Sequence, residues 1–116
     1  MIDPAKIADL ADAVAQAMDN KNTWCSGAMA RSLGGFDVDV HSGSARSWCA
    51  LGHAMRIMRI EGGENQEGYL PAALCSEFLS MFHKDLVDSN DDDGRVTTIE
   101  RLEQLAMRLR AAGQTK

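Results

Sequence analysis

The chain has two tryptophans, and each stands directly before a cysteine. The first run is Trp24-Cys25-Ser26-Gly27-Ala28-Met29-Ala30-Arg31. The second is Trp48-Cys49-Ala50-Leu51-Gly52-His53-Ala54-Met55-Arg56. In each, a Gly follows the Cys by two or three places, then Ala-Met and an Arg. A Trp supplies a large apolar area, and a Gly lets another backbone come close. The repeated run therefore reads as a packing module. Aromatic residues make up only 5% of the chain, so both Trp are expected in the core. Leu, Ile, Val, Met and Ala must fill the rest.

At 116 residues the chain has the size of one domain, 1–116. No run approaches the roughly 20 apolar residues of a membrane span. Met1-Ile2-Asp3-Pro4 lacks the basic flank and apolar stretch of a signal peptide. Three widely spaced Cys fit a reducing compartment better than a disulfide framework. A cytoplasmic protein is expected. The net charge of −5 is unevenly spread: residues 61–100 hold ten acidic and two basic residues. Such an acidic middle argues against nonspecific nucleic-acid binding, which rests on Lys and Arg contacts to phosphates. It suits a solvated face, or a partner with a basic surface.

Helical spacing dominates. Asp3 caps a first helix with Pro4 in its first turn, and Ile7, Leu10, Val14 and Met18 follow on one side. Thr23 opens a short second helix to about Leu33, stopped by Gly34-Gly35. After a loop over 34–44, Ser42 or Ser44 caps a helix to about Ile60, with Trp48, Leu51, Met55 and Met58 as its apolar stripe. Pro71 opens a helix to about Val87. Thr97 and Glu100 form a capping box for the last helix, which Gly113 ends. Phe36–Val40 alternates like a strand but would stand alone. The fold class is all-α, four or five helices around Trp48, Leu51, Met55, Leu74, Phe78, Phe82, Ile99, Leu102 and Leu109.

Three constellations bear on chemistry. Cys49 and His53 lie four apart on one predicted helix, and Cys25 and His41 would complete a four-ligand zinc set. The same Cys49 and His53, with Arg46 and Arg56 on one helix side opposite Trp48, would make an activated thiol. No Asp or Asn is identifiable to orient His53. From Ser89, the run through Asp91, Asp93, Gly94 and Glu100 matches part of a calcium-binding EF-hand loop. Its first position lacks a carboxylate, and Asp88 stands where the entering helix needs an apolar residue. Turn formers leading into a helix cap describe the segment more simply.

The run Ser44-Ala45-Arg46-Ser47-Trp48-Cys49-Ala50-Leu51-Gly52 resembles the central motif of a family of small bacterial and phage proteins of unassigned activity. Two flanking elements join the resemblance: Trp24, Gly27, Ala28 and Arg31 upstream, and Asn90-Asp91 with Arg95-Val96-Thr97 downstream. It spans about residues 23–110. His53 departs from it, standing where a small residue is expected. The resemblance implies a domain type in which Asn90 and Asp91 tie their loop to neighbouring backbone and the Trp-Cys-Ala-Leu-Gly residues are core.

The expectation is a small acidic, phage-derived cytoplasmic module that binds another protein. Its expected contact residues are Glu61, Glu64, Glu67, Asp91, Asp92 and Asp93, which lie in two acidic loops. No cofactor, nucleic acid or membrane is assigned. A Cys49/His53 thiol enzyme and a calcium or zinc module are the alternatives. The Arg46–Arg56–Arg59 face is the second candidate interface.

Overall fold

The computed structural model describes residues 3–58 and 70–114. The first helix, α1 (Pro4–Met18), begins as the sequence predicts, with the Asp3 carboxylate accepting from the Ala5 N–H. Its buried face carries Ile7, Leu10, Ala11, Val14 and Met18. This face lies against α5 (Arg95–Gln114), which buries Leu102, Leu105, Ala106 and Leu109. The two helices run antiparallel. Arg95 at the start of α5 donates to the carbonyls of Met18 and Asp19 at the end of α1. Arg110, four turns on, pairs with Asp9 and Asp12. A third helix, α3 (Leu70–Phe82), adds Leu70, Leu74 and Phe78 to the same core.

The expectation of an all-helical chain is corrected in the middle. The predicted helices over 23–33 and from Ser44 do not form as such. Lys21–Thr23 is a single 3-10 turn, and Ala30–Ser32 is a strand, β1. It pairs antiparallel with β2 (Ala45–Trp48), with Ala30 opposite Trp48 and Arg31 opposite Ser47. The register then slips between Arg31 and Ser32, which faces Ala45, so Arg46 is bulged out. Helix α2 starts only at Ala50 and is described to Met58. The described residues are mostly helical, with one small sheet.

The sheet has its own core. Ala30, Val40 and Ala45 are buried, with Met29, Val38, Trp48 and Met55 packed on them. Neither Trp is fully buried, contrary to expectation. Trp24 packs on the helical core and Trp48 on the sheet core. Of the predicted core, Leu74, Phe78, Leu102 and Leu109 are buried. Phe82 and Ile99 pack at its margin, and Leu51 is half-buried.

Helix α3 stops at Phe82, short of the predicted Val87, because His83 adopts the left-handed conformation with φ 57°. Asp85 then caps a single turn, α4 (Leu86–Asp88), through the Val87 N–H. That turn continues as a π-turn over Ser89–Asp93. Gly94 closes it at φ 91°, ψ 176°, a region that side chains rarely enter.

Candidate functional site

The two Trp-Cys runs and the Asn-Asp segment, far apart in sequence, meet at one side chain. Asn90 is fully buried in the π-turn. Its Oδ1 accepts from the Trp24 indole N–H at 2.8 Å and from the Ala50 backbone N–H at 3.0 Å. Its Nδ2 donates to the Cys25 carbonyl at 3.1 Å and to Asp91 Oδ1 at 2.9 Å. All four hydrogen-bonding positions of the amide are used. Asp91 Oδ1 also accepts from the Gly27 N–H at 3.0 Å. Asn90 and Asp91 therefore tie this loop to the backbone of Cys25, Gly27 and Ala50.

The Cys-Ala-Leu-Gly motif builds the N-terminus of α2. Cys49 is its cap, with Sγ accepting from the Gly52 N–H at 3.3 Å. Asn90 satisfies the Ala50 N–H, so two of the helix's orphan donors are paired. Ala50 is fully buried. Gly52 lies against the Met29 carbonyl, which a Cβ would strike.

His53 is fully buried beside this cap. Arg56 Nε donates to its Nδ1 at 3.1 Å. The proton therefore sits on Nε2, which donates to the Thr23 carbonyl at 2.9 Å. Burial, reinforced by the Arg56 charge, lowers its pKa to about 4. Arg56 also stacks over the Trp48 ring at 4.5 Å. Arg46 lies on exposed strand, on the carbonyls of Gly43 and Ala45.

These contacts overturn the geometry on which the thiol reading stood. Arg46, Cys49, His53 and Arg56 do not share a helix side, because residues 45–48 are strand. Burial raises the Cys49 thiol above its ordinary pKa, although the Gly52 N–H acts the other way. Both ring nitrogens of His53 are engaged, so it offers no lone pair to a thiol. His41 stands exposed in the β1–β2 connection. Among the described residues no group of three His, Cys, Asp or Glu side chains could hold a metal ion.

The calcium-loop match scatters in the same way. Ser89 is buried, with its hydroxyl on Thr98 Oγ1 at 2.8 Å and accepting from Arg101 at 2.9 Å. Asp93 pairs with Arg101 at 2.6 Å and with Lys84 at 3.0 Å. The Arg101 and Lys84 hydrogen bonds hold its carboxyl below the usual range. Asp92 is exposed, with Lys84 at 3.6 Å. Glu100 is exposed on α5. Asp91, Asp92 and Asp93 are thus neighbours, but Lys84 and Arg101 meet the charge of Asp92 and Asp93, while Asp91 accepts only from neutral donors. Glu61, Glu64, Glu67 and Arg59 lie outside the described residues. Thr97 is not a helix cap, because α5 already starts at Arg95.

The sequence reading missed one exposed feature. Beyond β1 the chain makes a tight hairpin. Ser32 and Phe36 pair at 2.9 Å, and the Gly35 N–H donates to the Ser32 carbonyl at 2.9 Å. Leu33, Gly34 and Gly35 form a three-residue loop with Gly35 at φ 86°. Arg31 braces it, reaching the Gly35 carbonyl, the Asp37 carboxylate and the Ser26 carbonyl. At its tip Leu33 is 90% exposed and Phe36 75% exposed. The Gly-Gly pair was the available signal, read as a helix stop and not as a turn between two apolar residues.

Scans against models of protein families, curated proteins and solved structures returned no match. No helix among the described residues is long and apolar enough to cross a membrane.

Proposed function

We propose that this chain is a protein-binding module whose anchor is the Leu33/Phe36 hairpin tip. The carrying observation is that tip: two large apolar side chains held in water by a braced turn. Single exposed apolar residues are ordinary on a protein surface, whereas a paired set suits insertion into a partner's pocket. Exposed Asp37 and Asp39 follow the tip, and Asp91 reaches Gly27 at the base of the same excursion. This setting favours a partner with a basic rim around an apolar pocket. The acidic contact set therefore keeps a part in the reading, through Asp91 and Asp92, both exposed, more than through Asp93, which sits between Lys84 and Arg101. The free thiols fit action in the cytoplasm. The resemblance to small bacterial and phage proteins supports a phage-derived origin as part of this proposal.

A photo-crosslinking amino acid at position 36, with one at the exposed Met107 as control, tests it. One protein should crosslink from position 36 and not from position 107, and Leu33→Ser should suppress the adduct. Identical adducts from both positions, or none from position 36, would remove the tip from the interface.

A further inference from the structure

We infer that Cys25 and Cys49 are a disulfide-forming pair, closed by a peroxide oxidant, that staples the two Trp-Cys runs together. The backbone sets the pairing. Trp24 and Trp48 form a parallel bridge, and the Cys25 N–H donates to the Trp48 carbonyl at 3.2 Å. The bridge is isolated, and the residues that directly follow its two members are Cys25 and Cys49. Chains paired in this way lie about 4.8 Å apart. A disulfide accepts Cα separations of roughly 4.4–6.8 Å.

Two further sets of contacts bring the same two segments together. The single amide of Asn90 holds the Cys25 carbonyl with its nitrogen and the Ala50 N–H with its oxygen. The two cysteine backbones are thus fastened to one side chain. The sulfurs also meet consecutive residues of one turn. Cys25 Sγ donates to the Ala28 carbonyl at 3.5 Å, and Cys49 Sγ lies 3.8 Å from Met29 Sδ. Both thiols are free. Cys75 sits on α3, outside the bridged segments.

The chemistry balances with one peroxide. Cys25, the less buried at 7% against 1% for Cys49, is oxidised first. Its sulfur takes the hydroxyl oxygen of hydrogen peroxide and becomes a sulfenic acid, and one water leaves. Cys49 Sγ then attacks the Cys25 sulfur, the S–O bond breaks, and the departing hydroxide takes the Cys49 proton as a second water. Two thiols lose two electrons in all, and the peroxide gains them. Burial raises both thiol pKa values, which makes the closure slow. The link would fasten the base of the excursion over 26–48, which carries the hairpin tip.

The test is peptide mapping of the folded full-length protein after hydrogen peroxide, with free thiols alkylated and no reductant. Trypsin separates residues 22–31 from residues 47–56, so the link joins two distinct peptides. The expected result is that linked pair, loss of alkylation at Cys25 and Cys49, retained alkylation at Cys75, and reversal by dithiothreitol. Cys75→Ser should still form the link, and Cys25→Ser should abolish it. Both thiols still alkylatable after oxidation and unfolding would overturn the inference. So would a dominant Cys49–Cys75 or interchain link. Mapping the unsubstituted chain decides the question even if a variant fails to fold.

Discussion

A methyl group at Gly52 would be driven into the carbonyl oxygen of Met29, which is backbone and cannot swing away. Gly52→Ala should therefore destabilise by about 1–3 kcal/mol, despite the better helix propensity of Ala. Urea unfolding measures it. Asn90→Ala deserts the Trp24 and Ala50 donors and the Cys25 carbonyl together. Each buried partner left unpaired costs roughly 1–3 kcal/mol, so this should be among the most damaging single changes. Unfolding no easier than that of Leu79→Ala, an exposed site, would refute the hub. His53 adds a pH dependence. Its folded pKa of about 4 lies below the ordinary 6.5 because the neutral ring is buried. Between those values the unfolded chain binds a proton that the folded chain refuses, so acid favours unfolding. The stability contributed by neutral His53 is complete above about pH 6.5 and is lost as pH falls through about 4. Denaturant titrations at pH 7 and pH 4.5 should differ less for His53→Gln than for the parent chain.

Among the elements, the start of α5 departs most from its sequence signature. Thr97 and Glu100 have the spacing of a capping box, yet the helix begins two residues before Thr97. Gly94 at positive φ sets the entry, and Arg95 is drawn toward the carbonyls of Met18 and Asp19. The buried member of the Thr pair is Thr98, bonded to Ser89. Thr97→Ala should thus change stability by no more than about 0.5 kcal/mol, whereas Thr98→Val should cost about 1 kcal/mol by breaking that buried bond. Thermal melts of the two variants separate the readings, and a larger loss from Thr97→Ala would restore the capping box. The π-turn over Ser89–Asp93 gives the acidic segment its second use. It turns Ser89 and Asn90 inward and leaves Asp93 between Lys84 and Arg101.

At the scale of the molecule, a helical core of α1, α3 and α5 carries a small sheet whose excursion ends in the hairpin tip. The tip is built to be spared by folding. Leu33→Ser with Phe36→Ser should leave the unfolding free energy within about 0.5 kcal/mol of the parent while removing the proposed contact. A large loss of stability in that double variant would make the pair a structural element of the hairpin instead. Because the Asp91 and Asp93 carboxylates hold backbone and Arg101, their charge reversal would perturb the fold as well as any interface. The tip variant is the cleaner probe.

The sequence by itself determined the outer helices. Their apolar residues recur at the helical period, Asp3 caps locally, and both signals act within a few residues of chain. It also marked the Trp-Cys runs and the Asn-Asp segment as distinct motifs, without any visible contact between them. What only the tertiary structure decided was the middle of the chain. Residues 30–32 and 45–48 carry too little alternation to declare a strand, and each becomes one only because the other is there to pair with. The same holds for Asn90. An amide can satisfy four partners only when segments more than 40 residues apart in places are brought to it, and no local pattern encodes that meeting. Gly52, Cys49 and Ala50 then acquire their roles from where Met29 and Asn90 come to rest, which is a property of the packed chain.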